Sequence, residues 1–167
     1  MKNQRMLDEL TELMRIDVSS GQETEIAECL VKKLKQMGFS ITRDEAGDTF
    51  GGVCGNVLAV REGERDGVVC FCSHMDRVPG GIGIKPVEED GILRSSGDTI
   101  LAADDLSGVA AILEGVRQAI ESGKALPKLE ILFTVGEEAG LYGAKAFDVS
   151  LLTSKTMYVL DSPGRIG

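Results

Sequence analysis

The sequence predicts an α/β fold in which a parallel or mixed β-sheet is covered by helices. Val68–Cys72, a continuous apolar run without alternation, has the character of a strand buried on both faces, and Leu129–Val135 and Met157–Leu160, dominated by apolar residues, read as two further buried strands. Segments with apolar residues at helical spacing lie between such runs, the order of strand and crossover in α/β proteins. His74, Glu137-Glu138 and Asp161 follow these three strands closely. That is where ligands bind in open α/β sheets, outside the carboxyl ends of the strands.

Along the chain, Met6, Leu10, Leu13 and Met14 mark a first helix, and Ile26, Leu30, Val31, Leu34 and Met37 a second. Between them Ser20 and Glu23 form the S-x-x-E pattern of a capping box, and Gly38 is a natural stop for the second helix. Phe39–Arg43 and Val57–Arg61 read as strands joined by a turn rich in glycine (Gly51, Gly52, Gly55). Lys85–Val87 and Ile92–Ser95 predict a hairpin around Glu89-Asp90-Gly91. Leu106–Ile120 is a helix with Val109, Ile112, Leu113, Val116 and Ile120 facing inward, ending at Gly123. The segment 162–167 has turn character and adds no closing element.

A chain of 167 residues suffices for one domain with a proper core. At 43% hydrophobic and 27% charged, its composition is that of a soluble globular protein. The net charge of −9 argues against nucleic acid or an anionic membrane surface as partner, because phosphate recognition needs clustered Lys and Arg. Met1-Lys2-Asn3-Gln4 leads into an amphipathic pattern without an apolar leader core, so no signal peptide is expected. No apolar stretch approaches the ~20 residues of a membrane span. The four cysteines, Cys29, Cys54, Cys70 and Cys72, are expected to be reduced structural thiols in a cytoplasmic protein. Cys70 and Cys72 could instead pair on a metal, but nothing adjacent completes a cysteine site.

The chemistry centres on His74, the one histidine of the chain. Asp76 lies two residues on, so in an extended segment it shares a face with His74 and can orient the imidazole from behind. Asp104-Asp105 opens a helix, where Asp serves as N-cap and suits the positive end of the helix dipole. Two carboxylates are one more than a cap requires, which leaves one to bridge metal ions. Glu137-Glu138 follows Gly136 at a strand end; such pairs are often merely solvated, yet here one could bind metal and the other act as general base. Asp161 has the weakest signal, since Asp-Ser-Pro-Gly is also a turn sequence.

Taken together, Ser73-His74-Met75-Asp76-Arg77-Val78-Pro79, Thr99-Ile100-Leu101-Ala102-Ala103-Asp104-Asp105, Thr134-Val135-Gly136-Glu137-Glu138 and Leu160-Asp161-Ser162 resemble the four successive motifs of the di-zinc exopeptidases of the peptidase T (tripeptide aminopeptidase) and aminoacylase group. Gly97-Asp98-Thr99-Ile100-Leu101 and Gly143-Ala144-Lys145 favour the peptidase T-like branch. The resemblance implies a three-layer α/β/α catalytic domain with a central mixed, mostly parallel sheet. It implies that His74 and Asp161 hold one zinc ion, that Glu138 helps hold another, and that Asp104 bridges both. Glu137 would be the general base, Asp76 the orienter of His74, and a cis peptide would follow the bridging Asp. Co2+ or Mn2+ are possible substitutes for Zn2+, and the substrate would be a short peptide.

Two departures from the pattern have consequences. Ala102 stands where the family usually has glycine, a change tolerated if the backbone there avoids positive φ. The second zinc-binding histidine of the family has no counterpart, nor does the lid and dimerisation domain that follows the last motif. The expectation is therefore that residues 1–167 are the N-terminal part of the catalytic domain, lacking its C-terminal portion. Such a piece would hold about one metal ion through His74, Asp104 and Asp161, be weakly active or inactive by itself, and self-associate through an exposed sheet edge. Alternatives are an amidohydrolase of N-acyl amino acids and a non-catalytic binding module of the same fold.

Overall fold

The structure, a computed structural model, describes residues 4–162. The expectations for Met1–Asn3 and for the turn beyond Ser162 lie outside the described residues. The elements in order are α1 (Gln4–Met14), α2 (Thr24–Gln36), β1 (Ser40–Arg43), β2 (Val57–Arg61), β3 (Val68–His74), β4 (Pro86–Glu89), β5 (Ile92–Ser95), α3 (Ala103–Glu121), β6 (Lys128–Thr134), α4 (Tyr142–Ala146) and β7 (Met157–Val159). Short 3-10 turns lie at Ala46–Thr49 and Val149–Leu151.

Five strands form one mixed sheet in the order β1-β2-β6-β3-β7. β1 pairs antiparallel with β2, and β2 with β6; β3 pairs parallel with both β6 and β7. The parallel half is the half that matters for function, because it brings the carboxyl ends of β3, β6 and β7 to one rim. β4 and β5 form a separate hairpin whose turn residues Asp90 (φ 53°) and Gly91 (φ 75°) are both left-handed, as a two-residue primed turn requires.

Strand alternation sorts the core into two unequal layers. Val57, Ala59, Leu129, Ile131 and Phe133 point to the face where Leu13 of α1, Ile26, Leu30 and Leu34 of α2, and Val109 and Leu113 of α3 are buried. Full burial of each of the larger of these side chains, all but Ala59, contributes about 1.5–3 kcal/mol. Leu58, Cys72 and Leu132 point the other way, and among the described residues they meet mainly Phe147, Leu152 and Met157. Flanking helices are thus present as the sequence predicts, but the three long ones share a face, and the opposite layer is thin.

The capping box expected of Ser20 and Glu23 does not form: Glu23 occupies the N-cap position with no side-chain cap hydrogen bond. The Ser20 hydroxyl instead donates to Asp76 Oδ2, and Glu23 Oε1 accepts from the backbone N–H groups of Gly21 (2.8 Å) and Gly136 (3.0 Å). Both side chains are drawn into the sheet rim rather than folded back on α2. Gly38, at φ 84°, ends α2 as expected, with its own N–H donating to Lys35 O and that of Phe39 to Leu34 O. Ala102 has φ 58° and ψ 40°, so the condition under which alanine is freely tolerated there is not met.

All four cysteines are free thiols, and burial pushes those of Cys70 and Cys72 up to about 12, consistent with inert structural residues. Among the described residues no helix is long and apolar enough to cross a membrane.

Candidate metal centre

His74 is the last residue of β3 and Asp76 lies just beyond it; both are almost wholly buried, at 2% and 0% exposure. Nδ1 of His74 lies 3.1 Å from the backbone oxygen of Asp76 and 3.4 Å from its Oδ1. The orientation expected of Asp76 is therefore shared between its main chain and its carboxylate. With Nδ1 engaged, Nε2 is directed at the rim, 3.1 Å from Asp104 Oδ1 and 4.0 Å from Asp161 Oδ2.

Asp104 and Asp105 divide their tasks as a surplus carboxylate suggests. Both have non-helical backbone angles, and the peptide between them is cis. Regular winding of α3 begins at Leu106. Asp105 Oδ1 accepts from the N–H of Gly108 (3.1 Å), the geometry of an N-cap, while its Oδ2 accepts from the Ser73 hydroxyl (2.6 Å). Burial raises the Asp105 carboxyl to about 6 despite these bonds and the attraction of His74. Asp104, with a side chain 72% exposed, is left to face His74.

Asp76 also organises the acidic pair beyond β6. Its Oδ1 accepts from the N–H of Glu137 (3.0 Å) and its Oδ2 from that of Glu138 (3.1 Å). Gly136, at φ 59°, makes the turn into that pair, and a Cβ there would stand 2.6 Å from the ring of Phe50. Glu137 lines a cleft with His74, Asp161, Leu141 and Phe147. Its carboxyl is raised, first by burial and then by repulsion from Asp161, Asp76 and Asp104, against the pull of His74.

The donor set fits a divalent cation. Ligand atoms of His74, Asp104 and Glu138 lie within 4.8 Å of one another, as do those of Asp104, Asp105 and Asp161. Asp104 belongs to both groups, the position a bridging carboxylate would take. The surrounding field is of the matching sign. Burial opposes a charge on His74, yet Asp76, then Asp104 and Glu137, overcome that cost and raise its pKa to about 9. One imidazole among carboxylates is a donor set for a divalent metal ion.

All six residues singled out from the sequence (His74, Asp76, Asp104, Glu137, Glu138 and Asp161) converge on this rim. Ser20, Glu23, Ser73 and Asp105 were not assigned to it. Ser73 carried a readable signal, being a polar residue beside His74 at the end of an apolar run. Ser20 and Glu23 carried a misleading one.

An imidazole and a fan of carboxylates gather at the rim formed by the carboxyl ends of parallel strands, where α/β folds place their ligand sites. The chain belongs to peptidase family M28, whose profile matches residues 56–162. It is 39% identical over 168 residues to the uncharacterized protein YqjE of Bacillus subtilis (strain 168), covering all of this chain and 45% of that protein. Among solved structures it is similar to the aminopeptidase PepT of Bacillus cereus ATCC 10987, with a TM-score of 0.95 and 39% identity over 99% of this chain and 45% of the other. A tripeptidase of Staphylococcus aureus Mu50 gives 0.92 and 34% over 97% and 44%. The resemblance to peptidase T-like enzymes read from the motifs is thus borne out. The chain spans somewhat less than half the length of these proteins.

Proposed function

We propose that this chain supplies the metal-binding and proton-transfer residues of an exopeptidase that hydrolyses short peptides in the manner of a tripeptide aminopeptidase. The observation that carries the reading is the shared position of Asp104 between two ligand groups, with Glu137 in the adjoining cleft. By the resemblance, His74, Asp104 and Asp161 would hold one ion, with His74 Nε2 3.1 Å from Asp104 and 4.0 Å from Asp161, and Asp104 with Glu138 a second, weaker one. The compact groups in the structure, His74-Asp104-Glu138 and Asp104-Asp105-Asp161, share Asp104 but divide the other ligands differently. Zinc is proposed, with cobalt or manganese as substitutes. A divalent ion so placed supplies Lewis acidity, which polarises the scissile carbonyl and acidifies the attacking water. Glu137, in the cleft beside the ligands, takes the proton from that water and delivers it to the departing amine. Asp76 keeps the His74 ring turned toward the rim and holds the Glu137 and Glu138 amides in place.

The test is Glu137→Gln in the full-length gene product, assayed on tri-alanine with added zinc, cobalt or manganese. Turnover should fall by at least about 100-fold, as expected on removing a general base, while metal content stays near that of the unaltered protein. Surviving turnover would overturn the assignment of Glu137. The 167-residue chain by itself should retain about one metal ion after dialysis and show little hydrolysis. Two tightly held ions per chain would contradict the proposed ligand split.

A further inference from the structure

We infer that the loop between α1 and α2 is a positioning device for the acidic pair Glu137-Glu138, acting through Ser20 and Glu23. The inference rests on the function proposed above and adds two residues to it. Ser20 and Glu23 lie far from the site in sequence and touch none of its proposed ligands. They reach it through two clamps that close on one short turn.

In the first clamp the Ser20 hydroxyl donates to Asp76 Oδ2 at 2.5 Å. That same oxygen accepts from the N–H of Glu138, and Oδ1 accepts from the N–H of Glu137 while lying 3.4 Å from His74 Nδ1. Asp76 is 0% exposed, so water cannot replace a missing partner freely. Ser20 therefore fixes the carboxylate plane on which both the acidic pair and the imidazole depend. In the second clamp the 0% exposed Glu23 accepts from the N–H groups of Gly21 and Gly136 with one oxygen, Oε1. It ties the loop directly to the residue that turns the chain into Glu137. Three consecutive backbone amides, those of Gly136, Glu137 and Glu138, thus end on carboxylates that the loop supplies or orients.

A residue that merely caps α2 would affect stability alone. A positioning residue should affect the chemical step, because the reach of Glu137 toward the attacking water depends on where its backbone is held.

The decisive variant is Ser20→Ala in the full-length gene product. Its kcat on tri-alanine, measured at saturating metal, should fall about 10-fold, the usual scale for losing a partner behind an active-site group, with KM unchanged. Ser20→Thr, which keeps the hydroxyl, should restore most of the loss. Hydrogen exchange of the Glu137 and Glu138 amides, followed without any turnover, should accelerate in Ser20→Ala and not in Ser20→Thr. Glu23→Leu should lower kcat likewise; if it fails to fold, Ser20→Ala decides. Unchanged kcat with unchanged amide protection would overturn the inference, and so would a loss of kcat that merely follows a loss of metal. Should the unaltered protein fail to hydrolyse tri-alanine with any of the metals, the proposed function falls, and amide exchange alone decides the positioning.

Discussion

Ala102 and Gly108 bracket the start of α3, and each contradicts the simple preference for its place. Ala102 is 4% exposed in the left-handed region, where a Cβ costs about 1–2 kcal/mol. Gly108 lies inside the helix, where alanine would ordinarily gain about 0.5–1 kcal/mol. A Cβ at Gly108, however, would stand 2.5 Å from both Asp105 Oδ1 and the backbone oxygen of Leu160. Ala102→Gly should therefore stabilise the protein by up to about 1 kcal/mol, raising Tm by a few degrees. Gly108→Ala should lower stability by about 1–3 kcal/mol, as overpacking does, and weaken metal binding by displacing Asp105 beside Asp104. Thermal unfolding of both variants and metal titration of the second provide the check; a fall in Tm for Ala102→Gly would refute the account of its backbone. Neither effect was readable from residue type. The sequence identified Ala102 as a departure from pattern, but the sign of φ depends on how the loop enters α3.

The helices that cover the sheet are joined by a charge network as well as by apolar contacts. Arg5 of α1 makes a bidentate pair with Glu114 of α3 and a second with Glu121. Arg117 bridges Glu114 and Glu9, and Lys33 of α2 reaches Glu9 and Glu12. Arg5 first, against the cost of burial, and then Gln118 and Arg117 hold the Glu114 carboxyl down at about 2. A depressed carboxyl contributes stability that is complete above its unfolded value of 4.5 and is lost as the pH falls toward 2. With Arg5 itself 46% exposed, screening limits the contribution to about 1 kcal/mol. Glu114→Gln should thus unfold at lower temperature than the unaltered protein at pH 7, with the gap closing between pH 4.5 and 2. A gap that stays constant with pH would mean the charge of Glu114 is not what stabilises. At this scale most elements were legible, because apolar period and glycine stops are local signals: Val57–Arg61 matches β2 at both ends, and Gly38 closes α2. Ser20 and Glu23 were misread for the complementary reason. Their real partners, Asp76 and Gly136, lie 56 and 113 residues away, and no local pattern encodes a contact of that span.

For the whole molecule, the distribution of layers around the sheet has a consequence for association. β7 is an edge strand of three residues, Met157–Val159, with Tyr158 56% and Val159 58% exposed. The thin layer beside it presents Val149 at 73% and Leu151 at 48%. An edge strand with unpaired backbone groups next to exposed apolar side chains is a template for pairing with another chain, and nothing charged on β7 itself blunts it. The parallel half of the sheet therefore carries both the candidate metal centre on its rim and an exposed edge. The 167-residue chain should accordingly form dimers or larger species at micromolar concentration. Tyr158→Lys should shift it toward monomer, since an edge lysine opposes strand addition, without loss of bound metal, because Tyr158 packs on Phe71 rather than on the site. Light scattering across a dilution series, with metal content measured on each fraction, distinguishes the outcomes. A monomer at every concentration would show that the edge is protected by its shortness alone, whereas association that survives Tyr158→Lys would place the contact on the apolar face around Val149 and Leu151 instead of on the strand.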